Sequence, residues 1–528
     1  MIKFLRGVIL AISGAILASC TAANQERISE PHVLRIADWS EPSSLNPLLA
    51  HDQDTIGLDL LVVQTLVGIS RDNKITPVLV TRVPSRANGD ISSDGRTIVY
   101  HLRDNVRFAD GVPLRSADVA FTYHAIMDPR NPVIEDAYRR IVSLTTPNPQ
   151  TVVVKLREPW NAATRELFAE SDFAFGILPA HAFKTTLLRG SAWEQTPFGT
   201  GPFRVTRWFR GDRIVFEPNA YFAPRPKLKR IDVRIMPDLS SVAVALRSGE
   251  VDVARVPSSL AAQIRPDSGL RIVATPINGM DYLSLQTSAA PTNDVRVRRA
   301  IVNAIDVKMI GRALHIFSPP AAAFLPPVLS WHDTSLEPAV RDVSKADLLL
   351  KSAGWEWSGS QRKKDGVPLN VLIVAQIGSS GVFSALVQQQ LQAAGIGSTV
   401  KSFPASIFNA PNGPLRTGRF NVAEQGWIGG ADPEQSVDFA CSQVGANGTN
   451  IFRFCDPRFD AAYRDQASTA DEVNRASDFR AMQQIIDDEA PIVPLYYTQY
   501  LDAENRHVVG LARNMLGYPL SPEMWDVK

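Results

Sequence analysis

The chain of 528 residues has little cysteine: three residues, too few for a cysteine-based metal cluster. It has no surplus charge of one sign. Its 55 Lys and Arg stand against 54 Asp and Glu, a formal net charge of +1, so the basic excess of a nucleic-acid binder is absent and no nucleic-acid partner is expected. Beyond the N-terminus no run of ~18 apolar residues occurs, which excludes a multi-span membrane protein. No internal repeat or low-complexity tract stands out. The short motifs of common catalysts are missing too. The eight histidines form neither H-x-H nor H-E-x-x-H, so a zinc enzyme finds no support. There is no Walker A pattern, no G-x-G-x-x-G after a strand and no G-x-S-x-G elbow. Ser360-Gln-Arg-Lys363 formally fits S-x-x-K, but the run from Ser358 to Gly366 is polar and turn-like, whereas a nucleophile needs a buried, oriented base. Asp487-Asp488-Glu489 is a carboxylate run at a helix end and reads as a solvated face. This inventory offers no cofactor site and no metal site.

What remains is ordinary globular usage, 45% hydrophobic and 21% charged, with 37 Pro and 32 Gly marking many turns. At roughly 100–200 residues per domain the length suggests about three domains. Residues 1–20 read as an export signal. Lys3 and Arg6 open it, and Val8 to Ala18 is an apolar core too short to span a bilayer. It closes on Leu17-Ala-Ser-Cys20, which resembles the bacterial lipobox; Cys20 would become the lipidated first residue after cleavage. The alternative is an ordinary secretory peptide with an incidental cysteine. Residues 21–31 are polar and aperiodic, as a tether would be. Export gives the other two cysteines a meaning. Cys441 and Cys455 stand 14 apart in a loop-like stretch, and outside the cytoplasm nearby thiols pair, so a disulfide is expected, with two free buried thiols as the alternative. A zinc site is not, because no C-x₂₋₄-C pair exists and no histidine lies between them.

Strand and helix signals alternate, which is α/β organisation. Strands are expected at Val33–Ile36, Thr97–Leu102, Thr151–Leu156, Arg213–Glu217 and Ile231–Met236. Ser116 is expected to cap a helix carrying Val119, Tyr123, Ile126 and Met127, and Asp294 to open one carrying Val297, Ala300, Ile301, Ala304 and Ile305. Ser344 and Asp347 have the spacing of a capping box before the stripe Ala346, Leu349, Leu350 and Ala353, stopped by Gly354. A second stripe from Phe383 to Ala394 stops at Gly395, and a last helix carries Phe479, Met482, Ile485 and Ile486.

Several segments, in order, resemble the family 5 extracellular solute-binding proteins, the dipeptide and oligopeptide receptors of bacterial ABC importers. They are Leu34-Arg-Ile-Ala37 with Pro42-Ser-Ser-Leu-Asn-Pro47, Ser93-Asp-Gly-Arg-Thr97, Phe108-Ala-Asp-Gly-Val-Pro-Leu114, Gly199-Thr-Gly-Pro-Phe203 and Ser248-Gly-Glu-Val-Asp252. Asp294-Val-Arg-Val-Arg-Arg-Ala300, Ala346 to Trp355, Gly426-Trp427 and Ala490-Pro-Ile-Val-Pro494 continue the series. Each motif is weak alone; the order along the chain from residue 32 is what is specific.

The resemblance implies a class II periplasmic-binding-protein fold: an α/β chain in two lobes around a ligand cleft, with an extra domain on the first lobe. By analogy domain I combines residues 32–72, 185–275 and 500–528, domain II is 73–184, and domain III is 276–499. It implies no enzyme but a monomeric receptor, exported and lipid-anchored at the periplasmic or outer face of a bacterial membrane. Such a receptor closes on a peptide or related solute and delivers it to a permease and its ATPase subunits. Other solutes of the superfamily (nickel complexes, sugars, opines) are alternatives, and an extracellular enzyme is the remaining one. The implied ligand contacts are Ser43, Ser44 and Leu45 on the first loop and Trp427, Gly430 and Asp432 on the loop at the cleft. Ser43 to Leu45 equally form the turn before Pro47, and Trp427 equally fills a core. Many peptide receptors of the family place an Asp three residues after the Trp, to pair with the ligand's α-ammonium. Here that position is Gly430. Either Asp432 takes over or the ligand lacks a conventional free amine, which is the expectation here; Asp432, before Pro433, is equally placed to cap the following turn.

Overall fold

A computed structural model of the chain describes residues 30–50, 52–133, 137–171, 173–265, 269–377, 381–445, 448–469 and 472–528. Cys20 and the tether up to residue 29 lie outside the described residues.

A ten-stranded sheet runs through the molecule. Its strands are β1 (Val33–Asp38), β2 (Phe203–Phe209), β3 (Arg213–Pro218), β4 (Arg230–Ile235), β5 (Val253–Arg255), β6 (Leu270–Leu285), β7 (Asn370–Gln376), β8 (Gly397–Phe403), β9 (Val422–Ile428) and β10 (Ile492–Asn505). Their spatial order is β8-β7-β9-β6-β10-β5-β1-β4-β3-β2. The long antiparallel pair β6 and β10 belongs to both halves. On one side β1 lies parallel to β4 and β5, and β5 is antiparallel to β10. On the other side β9 is antiparallel to β6, and β7 is parallel to both β8 and β9. It follows that β1, β4 and β5 point toward β7, β8 and β9, and the carboxyl ends of the two parallel groups face each other.

The gap between them can be read from the register. Strand β5 ends with Arg255 opposite Asp502, itself opposite Val273, and β9 ends with Ile428 opposite Gly279. Between those levels only β6 and β10 continue, from Ala274 to Asn278 and from Tyr497 to Leu501. This two-strand floor joins the two lobes of a class II periplasmic-binding-protein fold. The expected domain limits 275/276 and 499/500 fall together on it, since Thr275 pairs with Tyr500 and Pro276 with Gln499. The limit at 72/73 falls inside a hairpin, Val67–Ile69 with Ile75–Pro77.

The floor strands had no sequence signal because they contain breakers. Pro276 stands at one register shift of the β6–β10 ladder, and Pro494, opposite Tyr282, at the other. Proline inside a sheet survives where a bulge has removed the demand for its missing N–H.

Of the five hydrophobic cores among the described residues, three bear on how the halves are joined. The first combines Leu34, Phe203 and Ile231 of the sheet with Val119, Tyr138 and Phe168, so the extra domain, with its three-stranded sheet and helix Ser116–Met127, shares a core with the first lobe. The second-lobe core collects Val297, Ile301, Leu350 and Leu391 from the helices predicted by periodicity, together with Val371 of β7. A further core crosses between lobes, joining Ile56, Leu60 and Ile69 to Tyr282, Trp331, Phe439 and Phe479. Cys441 and Cys455 are bonded, with S–S 2.08 Å, around the loop that supplies Phe452 to this core.

Several local expectations need correction. The cap of helix Ser116–Met127 is Arg115, whose N–H donates to Asp118 (2.8 Å), while the Ser116 hydroxyl donates to the Asn148 carbonyl. The cap of helix Val343–Ser352 is Asp342, which accepts from the Lys345 N–H at 2.9 Å; Asp347 is thereby released to pair with Lys351 and Arg362. The polar run around Ser360 is a hairpin, Glu356–Ser358 with Gln361–Lys364. Its Arg362 is buried, donating to the carbonyls of Ala394 and Trp355. Glycines at positive φ, Gly354 (85°) and Gly395 (79°), end their helices as the sequence suggested.

Candidate functional site

In open α/β sheets, ligands bind outside the carboxyl ends of the parallel strands. Here two such ends face one another, so the candidate site is the cleft above the β6–β10 floor.

The first-lobe wall is built by the loop after β1, the helix Gln53–Asp59 and the end of β5. Asp52 caps that helix, accepting from the Thr55 N–H at 2.9 Å, which places Gln53 and Asp54 on its first turn. Arg255 ion-pairs with Asp54 and lies over the rings of Trp39 (5.3 Å) and Tyr500 (4.4 Å). The Trp39 indole N–H donates to Asp54 and the Tyr500 hydroxyl to Gln53. Burial pushes the Asp38 carboxyl up to about 6, against the Ser40 N–H that it accepts; nearby Asp54 adds to the rise. The charged groups of this wall thus largely satisfy one another, and Trp39 remains 37% exposed as an aromatic face.

The second-lobe wall is set by Asn278. Its carbonyl accepts from the Gly429 N–H (2.7 Å), its amide donates to the Gly430 carbonyl (2.6 Å), and its N–H donates to Met515 (2.9 Å). One fully buried residue in the floor, through its backbone and its side-chain amide, therefore ties down the Gly429-Gly430 loop and the C-terminal segment. Asn278 carries no motif signal in the sequence, because its partners Gly430 and Met515 lie far away along the chain.

The sequence-predicted contacts separate in space. Ser43 is exposed, Ser44 donates to Glu194 (3.3 Å), and Leu45 is buried in the first core. The Ser44 hydroxyl also accepts from the Asn46 N–H, as a turn residue does. Trp427 is half-buried against the core between the lobes, at the end of β9. Gly430 contributes its backbone carbonyl to Asn278. Asp432 is buried and pairs with Arg475 at 2.6 Å, each side chain 3% exposed. Arg475 is held further by Gln466 (3.2 Å) and lies over Trp331 (4.9 Å) and Phe479 (5.2 Å). From the opposite lobe Arg165, anchored on the Asn73 carbonyl, also lies over Trp331, at 5.2 Å. The lobes meet at this tryptophan.

A recess of about 700 Å³ opens at the carboxyl ends of β7 and β9, lined among others by Asp281, Gln376, Asn409, Glu424, Gln425 and Tyr496. Asp281 is open to water on the recess side but ringed by protein elsewhere, and the lost hydration raises its carboxyl to about 6. Another recess, of about 400 Å³, lies in the first lobe between Arg103, Glu170, Thr200 and Tyr221, away from the strand ends that form the cleft. Among the described residues no group of His, Cys, Asp and Glu is arranged to hold a metal ion.

Residues 74–448 match the sequence profile of the Bacterial extracellular solute-binding proteins, family 5 Middle. Over 521 residues the chain is 25% identical to the Glutathione-binding protein GsiB of Escherichia coli O1:K1 / APEC, covering 95% of each chain. It is 26% identical over 482 residues to Di/tripeptide-binding protein 2 of Pseudomonas aeruginosa, covering 84% of this chain and 85% of that one. The crystal structure of NikA from Brucella suis in complex with Fe(III)-EDTA superposes with a TM-score of 0.82 at 22% identity, covering 94% of this chain and 100% of that one; this last likeness concerns the fold.

Proposed function

Because the chain belongs to the bacterial extracellular solute-binding proteins of family 5, we propose that it is the substrate-binding receptor of an ABC importer, taking a peptide or related small solute into its cleft and delivering it to a membrane permease. The observation that carries this reading is the pair of opposed carboxyl-end walls joined by two strands only. Such a joint lets the lobes close on a solute, and a ligand stabilises the closed form by its differential affinity for it. The names of GsiB and Di/tripeptide-binding protein 2 support a peptide-like solute. Gly430 in place of a carboxylate is the observation that keeps a non-peptide solute, such as a nickel complex, as the second reading.

The protein acts in this reading as a receptor rather than an enzyme, as a single copy, with ATPase subunits energising the permease. Export through residues 1–20 and lipidation at Cys20 hold it at the membrane surface, with 21–31 as the tether and the domains as divided above. Mass spectrometry of small molecules that co-purify with the protein tests the reading. A bound peptide or other solute, released on unfolding, is expected. Catalytic turnover of that molecule would favour an enzyme instead.

A further inference from the structure

Asp281 lies on β6 opposite Gly426 of β9 and opposite Tyr496 of β10, and a register shift of the β6–β10 ladder falls directly after it. Bulges re-aim the side chains beside them. The Asp281 carboxylate occupies the space that a side chain at 426 would fill: a Cβ built on Gly426 would stand 2.7 Å from its Oδ1. Among the described residues nothing donates to this carboxylate or pairs with it. The recess it faces is lined by Glu424 as well, and by no lysine, arginine or histidine. Asp432, the carboxylate nearest to Gly430 in sequence, is already neutralised by Arg475. Asp281 is solvent-exposed on the recess side, so its unpaired carboxylate, in a polar recess at the end of the site's own strands, is accessible to a cation carried by the ligand.

We propose that Asp281 is the anionic contact for a primary ammonium group of the ligand, replacing from the neighbouring strand the carboxylate that Gly430 does not supply. The proposal rests on the cleft being the solute site. The ammonium can come from a peptide N-terminus or from a lysine-like side chain, and the same charge-assisted contact serves both.

The test is calorimetry at pH 8 on the full folded domain, with free di- and tripeptides, their N-acetylated counterparts, and N-acetylated peptides containing lysine. Wild type should bind at least one ammonium-bearing probe, and Asp281→Asn should weaken that probe roughly tenfold or more. Removing the ammonium should weaken binding in wild type and have no further effect in Asp281→Asn. Retention of the N-acetylated lysine probes would assign the ammonium to the side chain. Gly426→Ala, whose methyl displaces the carboxylate, should weaken the same probe while leaving the urea midpoint unchanged. Equal affinity in wild type and a folded Asp281→Asn would overturn the proposal, as would full sensitivity to N-acetylation in that variant. Wild-type binding of none of these probes would also overturn it; the co-purifying molecule would then decide separately whether the receptor reading stands.

Discussion

Removing Arg475 should be among the most costly single changes in the second lobe. Arg475 and Asp432 are each 3% exposed and 2.6 Å apart through Oδ1, and the Asp432 Oδ2 has no hydrogen-bond partner among the described residues. Replacement of Arg475 by Met keeps apolar bulk over Trp331 and Phe479 but leaves a buried carboxylate uncompensated, a loss of about 3–5 kcal/mol. Asp432→Asn keeps the shape of the acceptor, and Arg475 retains Gln466 and two aromatic faces, so about 1–3 kcal/mol is expected. With both charges gone neither desolvation penalty remains, and Asp432→Asn/Arg475→Met should cost no more than about 1–2 kcal/mol. The two changes should thus fail to add by about 4 kcal/mol. Urea unfolding followed by tryptophan fluorescence suits the question, because Trp331 lies under both Arg475 and Arg165. Additive costs, or a penalty for Arg475→Met below about 1 kcal/mol, would refute the reasoning, since they would mean that water reaches the carboxylate. The same pairing predicts that Asp432→Asn leaves the preference for free amines intact. Loss of that preference would make Asp432 the ligand's anchor after all.

Three further outcomes are expected. Cys441→Ser with Cys455→Ser should lower stability by about 3 kcal/mol, the chain-entropy value for a loop of this length, and alkylation of native exported protein should find two reactive thiols only after reduction. Cys20→Ala should release the protein from membranes without unfolding it, because the polar, aperiodic stretch 21–31 separates Cys20 from the strand Val33–Asp38; a variant still fully bound in fractionation would exclude a lipid anchor there. Burial raises the Glu170 carboxyl to about 7, although it accepts from the Ile69 N–H and the Asn514 amide. A raised folded-state pKa means stability present below the unfolded value of about 4.5 and lost as pH rises through 7. Glu170→Gln should therefore match wild type near pH 4.5 and exceed it by about 3 kcal/mol at pH 8; a gap that does not change with pH would contradict the cause given.

What the amino-acid order determined by itself is local. Apolar spacing placed the helices over Val297 to Ala304 and Phe479 to Ile486, and glycines marked their neighbours' ends, because burial of one face and left-handed stops are set within a few residues. The order of short motifs identified the two-lobed architecture, and the cysteine spacing with the export signal pointed to a disulfide. Tertiary structure alone decided the rest. Strands β6 and β10 carry prolines inside them, tolerated only where the ladder shifts register, and that shift exists only once the two strands meet. Asp432 was legible as an acid near the cleft, but its partner Arg475 is 43 residues away on the helix Glu472–Glu489. Asp281 belongs to no motif that the sequence offers. Its meaning comes from Gly426, which lies beside it through sheet pairing between strands almost 150 residues apart and leaves the carboxylate room and no counter-charge. Charge pairing and desolvation depend on distance in space, and the pattern along the chain carries that distance only within a turn or two.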